Sequence, residues 1–257
     1  MRIAGAQIPC SKVVADNVKT IKKAIDWSVG VGCDFLVTPE GSLSGYLPNY
    51  DVEATIKALP EIEKYAKEKG IGLCLGTLWI EDEPFGKTRR NQIRFYDQEG
   101  AYLGAANKTH GVRPDETFLM NDIKKDGVKV YTLVSGNPKV GRDHLQAVGL
   151  ICNDLWPTGV QSIPHIAQRQ GVDIMIHSSN GARGDIKRDI LYNDWHDAHL
   201  RMVCHNAQVP IITVDNCWHM NGEPYDGETS SESGVVIDGR FVTKVPRTGT
   251  QYFYWDF

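Results

Sequence analysis

Two periods of hydrophobic and polar residues trade places along this chain. Residues 2–8 (RIAGAQI) are an apolar run of strand length stopped by Pro9. Val18, Ile21, Ile25 and Val29 then recur at helical spacing, with Asp16 placed to cap the helix and Gly30 or Gly32 to end it. A short apolar strand over 34–40 (DFLVTPE) halts at Pro39. A helix over 51–69 follows, broken or restarted at Pro60 and closed by Gly70, and then a buried strand at 71–80. Residues 91–108 read as a hairpin turning at Asp97-Gln98-Glu99-Gly100.

The second half repeats the alternation. A polar loop over 109–127 leads to two strands, VKVYTLVS and LQAVGLIC, on either side of a turn signal at 136–143. A helix near 160–170, a strand at 172–178 and a long helix from about 187 to 207 come next. On that long helix Leu191, Trp195, Ala198 and Met202 share one face. A strand at 209–216 and a hairpin around Asp238-Gly239 finish the pattern. Central strands apolar on both faces predict an α/β fold, with helices on one side of a sheet and another layer on the other. No linker, low-complexity segment or repeat interrupts residues 1–257, so one domain is expected.

Composition narrows the function classes. A formal net charge of −4 offers no electrostatic reason for nucleic acid or an anionic membrane as partner. The densest basic cluster, Lys87-Thr88-Arg89-Arg90, reads as a solvated turn. No run approaches the roughly 18 apolar residues of a membrane span, and the opening MRIAGAQI is a strand pattern without a secretory leader. Six cysteines at 10, 33, 74, 152, 204 and 217 show no C-x-x-C pair, which predicts reduced thiols and a cytoplasmic protein.

Open α/β sheets bind ligands beyond the carboxyl ends of their strands. There the chain places Glu40, Lys108 and Cys152. Singly, each has a plain reading: a capping acid, a solvated lysine, a small buried thiol. Together their chemistries complement one another. A cysteine needs a base or a nearby cation to become a nucleophile, a carboxylate shuttles protons, and an ammonium donates to a developing oxyanion.

Glu40 within FLVTPEGSLSGY, Lys108 within NKTH and Cys152 within LICNDLWP resemble the three signatures of the nitrilase superfamily, the carbon–nitrogen hydrolases. The resemblance runs from AGAQI at residue 4 to SGVVIDGRFV at 233–242 and includes the hairpin before the lysine. It implies an α-β-β-α sandwich, a homodimer or larger homo-oligomer, a small-molecule substrate, and no cofactor or metal. By that resemblance Cys152 attacks an amide carbonyl and forms a thioester. Glu40 carries protons, while Lys108 and the backbone N–H of Asn153 hold the oxyanion. Glu116, in RPDETFLM, matches a second glutamate that orients substrate. Trp156 and Asn180 are candidate pocket walls.

Asn153-Asp154 resembles the carbamoylase branch, but Leu155 and Trp156 stand where that branch carries arginine for a substrate carboxylate. A free carboxylate would therefore need Arg113 or Arg183. Met202 and His205, in MVCHN, replace a common Arg and Glu of the family. The expected activity is hydrolysis of a small amide or N-carbamoyl amine, with nitrile hydrolysis or acyl transfer to an amine as alternatives. Two weaker readings stand beside it. His196, His199 and His205 on one helix suggest a metal site, against a polar helix surface with one packed histidine. GETSSESG (227–234) suggests a serine nucleophile, against a Gly/Ser-rich surface turn.

Overall fold

The computed structural model describes residues 1–84, 86–111, 127–136, 141–181 and 190–257, the last range without the side chains of 190–193. Two six-stranded sheets stack face to face. The first contains β1 (Arg2–Gln7), β2 (Phe35–Val37), β3 (Gly72–Glu83), β4 (Gly86–Tyr96), β5 (Tyr102–Asn107) and β12 (Gln251–Asp256), in the order β12-β1-β2-β3-β4-β5. The second contains β6 (Tyr131–Val134), β7 (His144–Ile151), β8 (Ile174–Ser178), β9 (Ile211–Val214), β10 (Gly234–Ile237) and β11 (Arg240–Lys244), in the order β11-β10-β9-β8-β7-β6. Each has three parallel central strands, β1–β2–β3 and β7–β8–β9, flanked by antiparallel ones.

Strand alternation sorts side chains into layers. Ile3, Phe35, Val37, Ile93 and Phe95 of the first sheet meet Ala147, Ile151, Ile174, Ile176, Ile212 and Val214 of the second in one buried core. The opposite face of the first sheet, with Ala4, Leu36 and Leu73, is covered by α1 (Val14–Gly30) and α2 (Val52–Lys69). The opposite face of the second, with Val148, Leu150 and Met175, is covered by α3 (Ile163–Arg169) and α4 (Ile190–Ala207). The architecture is the α-β-β-α sandwich. No helix among the described residues is long and apolar enough to cross a membrane.

Several local expectations change. Asp16 lies inside the first turn of α1, and Val13 takes the cap position. Pro60 does not break α2: it sits on the exposed face of one continuous helix, where solvent can serve the carbonyl left without its donor. Lys87–Arg90 is not a turn but the first half of β4, paired with Trp79–Asp82. Of the row on α4, Trp195, Ala198 and Met202 face solvent and the Leu191 side chain lies outside the described residues, while Leu200, Val203 and Cys204 make the buried face. Only the start of the GETSSESG segment is on the surface, at Glu228; Thr229, Ser230, Ser231 and Ser233 are all buried.

Candidate active site

The turn that carries Glu40 is pressed onto β3. Beyond β2, the Thr38 hydroxyl bonds Ser42 (2.7 Å) and accepts from the Gly76 N–H (3.0 Å). Leu43 N–H and the Ser42 hydroxyl both donate to the Gly76 carbonyl. Position 76 must be glycine, because a Cβ there would overlap the Pro39 carbonyl. The Glu40 carbonyl in turn accepts from Asn180 Nδ2 at 3.0 Å, across from the end of β8.

Lys108 follows β5, and its N–H closes a bond to the Asn91 carbonyl at 2.8 Å. Its Nζ donates to Glu40 Oε1 at 2.8 Å and to the Tyr46 hydroxyl at 3.3 Å. Asn91 Nδ2 donates to the same carboxylate oxygen at 2.6 Å. The Glu40 and Lys108 side chains are both 0% exposed. An ion pair withdrawn from water recovers its desolvation cost only through close geometry and further hydrogen bonds. Tyr46 and Asn91 supply those bonds.

Cys152 is the first residue after β7, buried in the core between the sheets, at φ 48°. That left-handed conformation costs a non-glycine residue about 1–2 kcal/mol. Two residues hold the turn. Asp154 accepts from Ile151 N–H with one oxygen (3.1 Å) and from the N–H groups of Thr109 and His110 with the other (2.8 and 2.7 Å). It thereby ties the residues after Lys108 to the cysteine turn. His177 Nε2 donates to the Cys152 carbonyl at 3.2 Å, which leaves Nδ1 to accept from Thr213 Oγ1 at 2.8 Å. Burial pulls the His177 pKa down to about 4, so the ring is neutral at pH 7.

A close approach of the two sheets sets the spacing. Gly149 on β7 lies against the Ala106 side chain of β5, where a Cβ would collide. Lys108 comes two residues beyond that contact and Cys152 three.

Of the other candidates, Asn153 sits in the cysteine turn with its side chain on the Gly111 carbonyl at 2.9 Å. Asn180 bridges Glu40 to Asn216, whose Nδ2 donates to Asn180 Oδ1 at 3.0 Å. Trp156 packs among the rings of Trp195, His196 and His199 from α4, with centroids at 4.5, 4.6 and 4.9 Å. Glu116, Arg113 and Arg183 lie outside the described residues.

Two histidines rather than one are therefore packed on α4, and the described residues contain no group of three or more His, Cys, Asp or Glu arranged to hold a metal. Sequence reasoning missed Asn91, His177 and Asp154. Asn91 had one signal: in the hairpin it stands opposite Lys108.

This fold, with a buried carboxylate–ammonium pair and a cysteine turn that Asp154 ties to the residues just after the lysine, defines a nitrilase-superfamily protein. The chain belongs to the carbon–nitrogen hydrolase family, whose model matches residues 2–244. No curated protein matches it. Solved structures share the fold. A variant of the amidase from Nesterenkonia sp. AN1, carrying the Michael-addition product of acrylamide at its active-site cysteine, is 20% identical with a TM-score of 0.75, covering 100% of this chain and 93% of that one. A second variant, with the acetamide moiety of fluoroacetamide on that cysteine, is 19% identical with a TM-score of 0.76, covering 100% and 90%.

Proposed function

We propose that this chain hydrolyses the C–N bond of a small neutral amide or N-carbamoyl amine through a thioester on Cys152. The observation that carries the reading is the fully buried Glu40–Lys108 pair, with the residues just after Lys108 tied through Asp154 to the turn that carries Cys152. Glu40 takes the thiol proton as sulfur bonds the carbonyl carbon and the carbonyl electrons move onto oxygen. Lys108 and the Asn153 backbone N–H stabilise that oxyanion. Glu40 passes its proton to nitrogen as the C–N bond breaks and ammonia or amine leaves. A water then gives Glu40 a proton and bonds the carbon. The C–S bond breaks and the thiolate recovers the proton.

Glu116 orients the substrate in this reading. Leu155 and Trp156 put no charge beyond the cysteine turn, which supports a substrate without a carboxylate. The reaction of two amide reagents with the active-site cysteine of the Nesterenkonia amidase supports the class of substrate. Six cysteines outside any disulfide support a reducing, cytoplasmic setting for this single-domain enzyme, and a homo-oligomer is part of the same reading.

Ammonia release over a panel of amides, ureido compounds and nitriles tests the proposal, with mass spectrometry for the thioester. Cys152→Ala abolishes both signals, Glu40→Gln lowers turnover by at least about 100-fold, and Cys204→Ala leaves it unchanged. Release from nitriles alone, or from nothing in the panel, overturns the reading.

A further inference from the structure

We propose that Asn91 is a positioning residue that divides the labour between the two oxygens of Glu40: Oε1 is the anchor and Oε2 carries the proton. The inference rests on the reading of Glu40 as the proton carrier and adds a residue and an atomic assignment to it. In the β4–β5 ladder Gln92 pairs with Asn107, which sets Asn91 opposite Lys108 one step further. The two side chains share a face of the sheet and converge on one atom: Asn91 Nδ2 lies 2.6 Å and Lys108 Nζ 2.8 Å from Glu40 Oε1. The alternate pair turns to the other face, where Gln92 Nε2 bonds Asn107 Oδ1 at 2.8 Å. A slip of one residue would exchange the two sets.

A carboxylate oxygen has two lone-pair directions. One neutral and one charged donor occupy both on Oε1, and a proton arriving there would have to displace one of them. The thiol proton therefore goes to Oε2.

Asn91 is 0% exposed, and its own Oδ1 is buried with no hydrogen-bond partner. A side chain kept only to satisfy the sheet would not leave that acceptor bare. The amide is retained for its N–H. Among the described residues, titratable groups around Glu40 include Lys108, with Tyr46 at its ammonium, and Cys10, whose thiol meets the Glu40 carbonyl; the neutral His177 lies behind Cys152. Asn91 is a neutral donor on the carboxylate, so its replacement changes the proton affinity of Glu40 without removing a charge.

The pH dependence of Cys152 alkylation by iodoacetamide, followed by mass spectrometry, tests this without a known substrate. A donor bonded to the ionised form favours ionisation. Asn91→Leu therefore moves the acid limb of the rate upward by about one pH unit. Asn91→Asp, of the same shape, moves it further, because a second carboxylate resists ionisation beside the first. A purely structural Asn91 would scale the amplitude and leave both limbs in place. Unmoved limbs in folded protein overturn the proposal, and Asn91→Asp decides if Asn91→Leu does not fold. Glu40→Gln separates the two hypotheses. If it alkylates like wild type, the base reading fails. If it is slow at every pH while the Asn91 limbs stay put, only the present inference fails.

Discussion

A carboxylate and an ammonium shut away from water lose hydration that their mutual attraction barely restores, so Glu40 and Lys108 are better explained by chemistry than by stability. His177 carries the same logic without a charge. Its ring must stay neutral to donate through Nε2 to the Cys152 carbonyl while accepting from Thr213. Because burial lowers its pKa to about 4, the unfolded chain binds a proton more readily between pH 6.5 and 4. Its contribution to stability is therefore complete above pH 6.5 and falls as pH drops toward 4, by about 3 kcal/mol in all. Asp215, whose carboxyl is pushed up by burial, works in the opposite sense above its unfolded value, so a variant is needed to isolate the histidine. Thermal melts of wild type and His177→Gln check this. The variant starts less stable at pH 7 and loses less of its Tm by pH 4.5. Parallel losses would remove His177 as the cause.

Elements bring such residues within reach of each other through close contacts that no periodicity reveals. The β5–β7 approach depends on Gly149, which has Ala106 against it. Gly149→Val wedges the sheets apart just below Lys108 and Cys152. The expected cost is about 1–3 kcal/mol, with turnover falling further than the loss of folded protein explains. Chemical denaturation alongside specific activity measures both, and unchanged activity per folded molecule would show that the spacing is not critical. Most elements were legible from their periods, since strands with both faces buried are apolar throughout. The buried face of α4 was not. Its apolar row of Trp195, Ala198 and Met202 faces solvent, while His199 turns inward edge-on to the Trp156 ring. A histidine ring can pack against an aromatic neighbour on a buried face, and such neighbours cannot be read from one helix. Lys87–Arg90 misleads in the converse way, because an edge-extending hairpin tolerates a polar run when both strands protrude into solvent.

At the scale of the molecule, the chain ends close the first sheet. β12 runs antiparallel to β1 over six paired positions, with Phe253 lying across Gly5, and Phe257 N–H bonds the Met1 carbonyl. Deleting 251–257 exposes β1 as an unpaired edge. It should lower Tm by at least about 5 °C and raise light scattering as edges associate. A truncated chain that melts with the full one would show that β12 is only an appendage. Residue type and spacing alone determined the alternating α/β pattern, the layered burial and the strand-end positions of Glu40, Lys108 and Cys152, because backbone geometry ties the period of apolar residues to the faces they cover. Which donors crowd one carboxylate oxygen, which histidine lies behind the cysteine and how nearly the two sheets touch were decided by packing between residues distant in the chain, and local order carries no record of those distances.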